Sequence, residues 1–267
     1  MRKCTILGAI AGDVIGSVYE FNPTKKHDFE LFREGMSPTD DSIMTLAVAE
    51  WILTGGNYRT LVEIMRKWGA RYPYPTGGYG GRFSQWLFMD YPQPYNSWGN
   101  GSAMRVSAVG FAFPTLEETL RTAEISASVT HNHPEGIKGA QATAAAIFLA
   151  RNGSDKEEIR KYTEDNFGYD LHRTCSDIRP SYRFEESCQE TVPQSLIAFL
   201  DSKDYEDAVR LAISMGGDAD TMGAITGGVA AAYYGGLPEN IYDFVMNSLS
   251  EDMLQLIGKF EAGYGKI

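Results

Sequence analysis

Apolar residues recur at helical spacing through most of the chain, and no alternation of strand type runs for a convincing length. Residues 3–21 read as a buried helix in which Gly8, Gly12 and Gly16 fall four apart and share one face. Glycine weakens a helix, so three on one stripe predict a second helix packed very close there. Asp13 lies off that stripe, and Glu20 falls at the helix end, before Phe21-Asn22-Pro23 stops it. Further helices are predicted over 42–54 (ended by Gly55-Gly56-Asn57), 60–70, 116–129, the alanine-rich 139–150, and 155–166. Another starts at Thr191 with Pro193 in its first turn, followed by 204–215, 224–234 and one or two helices between 237 and 257. Residues 264–267 read as a frayed end. Ten or so helices, several rich in glycine and alanine, predict a single all-α domain over 1–267 with closely packed central helices.

The chemistry concentrates where two of these helices begin. Gly216-Gly217-Asp218-Ala219-Asp220-Thr221 sits in a helix–glycine–helix connection, with two carboxylates and a hydroxyl at the mouth of the following helix. Three oxygen-bearing side chains in four residues suit a hard cation such as Mg²⁺, although one of the aspartates capping the helix would also explain its place. Thr39-Asp40-Asp41-Ser42 repeats the arrangement before the helix at 42–54. A cap needs one oxygen and adjacent carboxylates repel, so two such clusters far apart in sequence favour a shared metal over twin capping. Glu20, a carboxylate at a helix C-terminus, opposes the macrodipole and needs either a compensating partner or solvent.

Composition narrows the function classes. The formal net charge of −11 and the lack of a basic stripe argue against tight binding to nucleic acid or an anionic membrane. No run is long enough to span a membrane, and Asp13 and Glu20 interrupt the N-terminal apolar stretch. Cys4, Cys175 and Cys188 have no paired spacing, which speaks for reduced thiols in the cytoplasm over a disulfide framework or a zinc site.

Three loops carry further candidates. Residues 71–99 interleave aromatics with glycine and proline, and Gly77-Gly78-Tyr79-Gly80-Gly81-Arg82 can stack on a flat ring and offer amides to phosphates. An aromatic mini-core beneath a long loop would have the same composition. Asn100 or Ser102 could cap a helix with its amides facing an anion. His131 and His133 lack zinc-type partners, so one imidazole is expected to bond substrate or backbone and the other to be structural. His27 reads as a solvated surface residue, and 165–190 as a polar loop without an assignable role.

Gly8-Ala9-Ile10-Ala11-Gly12-Asp13-Val14-Ile15-Gly16 with Glu20, Thr39-Asp40-Asp41-Ser42, Gly99-Asn100-Gly101-Ser102-Ala103-Met104-Arg105, Thr130-His131 and Gly217-Asp218-Ala219-Asp220-Thr221 occur in that order. Together they resemble the ADP-ribosylglycohydrolase family, which includes the dinitrogenase-reductase-activating glycohydrolases. The resemblance implies an all-α fold with a binuclear Mg²⁺ centre in a cleft, Mn²⁺ being an alternative ion. It also implies an ADP-ribosylated substrate, more readily a protein than a nucleic acid or small molecule, cleaved at C1″ of the distal ribose. Thr39, Asp40, Asp41, Asp218, Asp220 and Thr221 match the family's metal ligands, and Glu20 matches a glutamate that is a candidate general acid/base. Asn100, Gly101, Ser102 and His131 match positions lining the ADP-ribose site. The alternatives are an ADP-ribose-binding protein with a degenerate site and a metal-dependent phosphohydrolase. A monomer without membrane association is expected.

Overall fold

The computed structural model describes residues 1–265, and its regular elements are helices. They are α1 (Leu7–Gly16), α2 (Asp40–Thr54), α3 (Tyr58–Arg71), α4 (Gly81–Leu87), α5 (Gly101–Met104), α6 (Ser107–Ala112), α7 (Leu116–Ser128), α8 (Pro134–Arg151), α9 (Lys156–Phe167), α10 (Cys175–Ile178), α11 (Cys188–Asp201), α12 (Tyr205–Ile213), α13 (Ala219–Tyr234), α14 (Glu239–Ser248) and α15 (Glu251–Tyr264). Extended pairing among the described residues is confined to isolated bridges, Arg2 with Leu237, Thr39 with Thr76 and Gly99 with Ser187. No helix among them is long and apolar enough to cross a membrane.

The glycine stripe does what its spacing predicts. α1 and α13 lie backbone to backbone. A Cβ on Gly12 would collide with the Gly223 carbonyl, one on Gly223 with that of Gly12, one on Gly8 with the Cβ of Ala231, and one on Gly16 with the carbonyl of Ala219. Tyr205 of α12 donates to the Gly8 carbonyl at 2.7 Å and locks the far end of the pair. Every residue of α1, and α13 from Ala219 to Ala231, is buried. Around this pair α8, α11 and α12 pack on α13, and α2 packs on α1, so one apolar core runs through the described chain.

The element boundaries differ from the expectations where tertiary contacts decide. The helix expected over 3–21 is confined to 7–16. At its start the amide and hydroxyl of Thr5 are bound by Glu261 Oε1 of α15, at 2.6 and 2.8 Å. At its end Ser17 donates to the Val14 carbonyl and Tyr19 N–H turns back to Gly16, which peels the chain away. Glu20 therefore lies beyond the helix, free of its C-terminal dipole. Pro193 sits inside α11, which begins at Cys188, not in its first turn. Of the tail, Tyr264 closes α15, and 266–267 lie outside the described residues.

Candidate metal centre and its cleft

Because α1 and α13 touch, Asp13 on one helix meets Asp220 on the other. One oxygen from each of Asp13, Asp41 and Asp220 lies within 4.8 Å of the other two, and the same holds for Glu20, Asp218 and Asp220. Asp220 belongs to both triads. The acidic clusters at 39–42 and 218–221, separate in sequence, thus converge on one floor. Asp40 lines the cleft above it without joining either triad.

Capping does not account for these carboxylates. The cap of α2 is Thr39, whose hydroxyl accepts from Asp41 N–H at 3.2 Å. Asp218 stands at the N-cap of α13 but makes no side-chain cap bond; its Oδ2 accepts instead from Asn100 Nδ2 at 2.7 Å. Asp13 accepts from Thr39 N–H at 3.1 Å, Thr39 Oγ1 at 2.6 Å, Ser42 N–H at 3.1 Å and the Ser42 hydroxyl. With its lone pairs so occupied, Asp13 ties α1 to the start of α2 and fixes where Asp41 stands. The sequence reading left Asp13 out of the site. Its signal was a lone carboxylate in an otherwise apolar helix.

The orphaned oxygens make the test of whether a metal fits. Asp41 Oδ1, Asp220 Oδ1 and Glu20 Oε2 are buried with no hydrogen-bond partner. Uncompensated buried carboxylates cost several kcal/mol apiece, so they stay neutral or find a cation. The donor set is all oxygen and carboxylate-rich, the chemistry of a hard divalent ion. Burial first, and then mutual repulsion, pushes Asp40, Asp41 and Asp220 well above the usual carboxylate range. Asp218 is raised by burial, Asp13 rises to about 6 for the same reason, and Glu20 rises to about 7 through burial and then the charges of Asp218 and Asp13. A bound cation would reverse these shifts.

Above the floor opens a cleft of about 580 Å³. One wall is the glycine-rich loop, whose Tyr79 and Arg82 line it with Tyr95. The Thr39–Thr76 bridge anchors that loop, and Gly77, at φ +78°, approaches so closely that a Cβ would stand 2.5 Å from Glu20 Oε2. The mini-core alternative holds for part of the segment, since Phe83 and Trp86 stack in the interior. Phe184 and Glu186, from the region that had no assigned role, also line the cleft. Asn100 N–H donates to the Glu186 carbonyl at 2.7 Å and Cys188 N–H to that of Trp98 at 2.9 Å, joining this loop to 98–100. Lys25 braces it from below, donating to the carbonyls of Tyr182 and of Met215, the latter just before the acidic turn.

The remaining candidates divide. Asn100, Gly101 and His131 line the cleft, as do Asp40, Asp41, Asp218, Asp220, Thr221 and Glu20. Thr39 is fully buried beneath, bound to Asp13. Ser102 is also fully buried and donates to the Gly136 carbonyl at 2.7 Å, so its hydroxyl does not face the cleft. Neither it nor Asn100 caps α5, because Asn100 is itself helical in conformation and turns its amide to Asp218 and Thr191. The two histidines differ in setting. His133 caps α8 by accepting from Glu135 N–H, whereas His131 is buried in the wall. Burial and then the Arg105 guanidinium push His131 well below the ordinary imidazole range, so it is neutral. Thr130 Oγ1 accepts from Arg105 at 2.9 Å and shares a hydrogen bond with His131 Nδ1 at 2.7 Å, while His131 Nε2 lies beside Gly99 and Gly101. His27 is not simply solvated, for it pairs with Asp207 at 2.8 Å.

Comparison with known proteins finds similar chains. A model of the ADP-ribosylglycohydrolase family matches residues 3–265. The ADP-ribosylarginine hydrolase Tri1 of Pseudomonas putida is 28% identical over 88% of this chain and 71% of its own length. The ADP-ribosylhydrolase ARH3 of Homo sapiens is 26% identical over 88% of this chain and 85% of its own. A solved structure titled ADP-ribosylglycohydrolase-related protein complex superposes with a TM-score of 0.73 at 25% identity, covering 97% of this chain and 96% of that one.

Proposed function

The chain belongs to the ADP-ribosylglycohydrolase family and is a glycosidic-bond hydrolase, and on that premise we propose that it removes ADP-ribose from modified protein side chains by metal-dependent hydrolysis at C1″. The observation that carries this reading is the pair of carboxylate triads sharing Asp220, with three unpartnered oxygens under a cleft of about 580 Å³. Asp41, Asp218, Asp220 and Thr221, with Asp40 and Glu20 at the edge, are the residues that would hold two divalent cations, Mg²⁺ foremost. Bound there, the cations would supply positive charge for the ribose hydroxyls and for the attacking water.

The chain's own groups do the rest. Asp13 and Thr39 hold the floor in register and stay out of reach of substrate. Asn100 keeps Asp218 aimed by a 2.7 Å bond. Glu20 has one oxygen in no hydrogen bond, so it can give a proton to the departing group or take one from water. The amides of the glycine-rich loop and of Gly101, with the charge of Arg82, suit a diphosphate. Tyr95 offers a flat face for a purine.

The test is release of free ADP-ribose from ADP-ribosyl-arginine and from an ADP-ribosyl-serine peptide, each with Mg²⁺, with EDTA, and with Asp218→Asn. Metal-dependent release that the variant loses is expected. Release of inorganic phosphate instead, or turnover that survives EDTA, would overturn the reading.

A further inference from the structure

The two carboxylate triads are held by different means. Asp13 and Asp41 stand on α1 and α2, and the bonds of Asp13 to Thr39 and Ser42 lock the two together. Glu20 stands on a connecting segment. Among the described residues, no backbone-to-backbone hydrogen bond is made by 20–26. Asp218 follows Gly216-Gly217, a turn with no side chains of its own to hold it. Glu20, Asp218 and Asp220 nevertheless bring one oxygen each within 4.8 Å of the others.

Lys25, on the Glu20 segment, reaches both of the parts concerned. Its ammonium donates to the Tyr182 carbonyl at 2.7 Å and to that of Met215. Met215 stands just past the end of α12, where unsatisfied carbonyls favour a cation. The lysine stem crosses Gly216, which sits at φ +67°: a Cβ there would stand 2.8 Å from Lys25 Cε and 3.0 Å from Nζ. On the next residue a Cβ would collide with the Tyr182 ring. That ring is itself fixed, because its hydroxyl donates to the Glu190 carbonyl of α11 at 2.9 Å. Arg183 shares the Tyr182 carbonyl at 2.7 Å, but of the two cations it is Lys25 that reaches on to Met215. The glycine turn is thus enclosed between a lysine stem and a tyrosine ring that are bonded to each other.

Resting on the reading of this floor as the metal centre of a glycohydrolase, we infer that Lys25 is a positioning residue. It ties the Glu20 segment to the turn that presents Asp218, and so sets the Glu20–Asp218–Asp220 triad, whereas the Asp13–Asp41–Asp220 triad stands without it. Lys25 acts through two backbone carbonyls and touches none of the three carboxylates. Methionine would keep an apolar stem over Gly216 and donate nothing. Arginine would keep donors for both carbonyls.

The experiment titrates Mg²⁺ by calorimetry, without substrate, into the unmutated protein, Lys25→Met, Lys25→Arg and His27→Gln, and then measures kcat and KM with ADP-ribosyl-arginine. His27 lies on the same segment but pairs with Asp207, so it controls for loosening of the segment at large. Thermal melts in EDTA check that each variant is folded. In Lys25→Met one of two Mg²⁺ binding steps should weaken about 10-fold and kcat should fall about 10-fold, the scale of a lost support behind a metal ligand. The other step and KM should hardly move. Lys25→Arg should recover most of the loss, and His27→Gln should resemble the unmutated protein. Parental affinity at both steps in Lys25→Met, an equal loss at both, a single step in the unmutated protein, an arginine variant no better than methionine, or an equal loss in His27→Gln would each overturn the inference. If the unmutated protein binds Mg²⁺ but releases no ADP-ribose, the glycohydrolase reading falls, and the Mg²⁺ affinities still decide the role of Lys25. If it binds no Mg²⁺, both fall.

Discussion

The floor and the rim of the cleft are built on opposite principles. The floor is set by two helices in backbone contact, where a single added methyl has nowhere to go. The rim is made of loops with room to spare. A Cβ on Gly78, Gly80 or Gly81 would meet nothing within 4 Å, and Phe21, Phe184 and Glu186 are open to solvent. The floor also buries groups that repel one another, whereas the rim exposes groups that await something. The difference assigns them separate tasks. A metal site tolerates little error in ligand position, so it is placed on rigid elements. On the proposed function, recognition of the carrier would fall to loops that can change without disturbing the centre.

Removing the carboxylate that both triads share is the hardest blow to the floor. Asp220→Ala should lower kcat by roughly 10³-fold, the scale of several kcal/mol that bound cations contribute. In the metal-free protein the same change should raise the melting temperature, because it deletes a buried charge that its neighbours oppose. Kinetics with Mg²⁺ and melts in EDTA check the two signs, and a metal-free variant that melts earlier than its parent would contradict this electrostatic account. Next in size is Gly12→Ala. The methyl would enter the Gly223 carbonyl, separate α1 from α13, and cost about 3 kcal/mol, at the upper end for overpacking. It should also weaken metal affinity, since Asp13 and Asp220 part. The matching change on the rim, Gly80→Ala, meets open space at a negative φ and should stay within about 0.5 kcal/mol of the parent by denaturant titration. Equal effects at the two glycines would erase the contrast between floor and rim.

The same contrast explains what the sequence made legible. Thr39-Asp40-Asp41 and Asp218-Ala219-Asp220-Thr221 announce themselves because oxygen donors cluster locally at helix starts. The Gly8, Gly12 and Gly16 stripe announces the close helix pair because helical spacing is local too. The role of Asp13 was hidden, since its four donors come from residues 26 and 29 positions away. The short extent of α1 was hidden as well, because Glu261, more than 250 residues downstream, holds Thr5 outside the helix. Residues 182–188 have no periodicity or motif of their own. Only the bonds to Trp98, Asn100 and Lys25 bring them to the cleft. Ser102 shows the converse, a residue whose motif pointed to the ligand site while its hydroxyl turned inward to Gly136.

Glu20 stands where floor meets rim, and its substitution sharpens the boundary. Glu20→Gln should cut turnover by roughly 100-fold, the usual scale of lost acid–base help, while leaving ADP-ribose binding by calorimetry in place. Near-parental turnover would remove Glu20 from proton transfer and leave it a role in the floor alone.

The smallest effect is a dependence on pH that the floor should show most strongly. Asp13, raised from 3.8 to about 6, and Glu20, raised from 4.5 to about 7, hold protons more tightly folded than unfolded. Below pH 4 both states are protonated and these groups add no penalty. As pH climbs from 4 through 7 the unfolded chain ionises first, and the stability of the metal-free protein falls. Asp177 and Asp252, both held below their ordinary value, act oppositely and lose their contribution only as pH drops under about 4. The metal-free melting temperature should therefore peak near pH 4–5 and lie roughly 5 °C lower at pH 8, a shift that corresponds to about 2 kcal/mol for a chain of this size. If excess Mg²⁺ binds the ionised carboxylates as proposed, its stabilisation should be larger at pH 8 than at pH 5, and the curve should flatten. Glu186→Gln on the rim should leave the sign of this slope unchanged, while Asp220→Ala on the floor should flatten it without metal. A metal-free melting temperature that rises from pH 5 to pH 8 would mean that the buried carboxylates are already neutralised from within the chain, and the case for a cation at this floor would lose its physical basis.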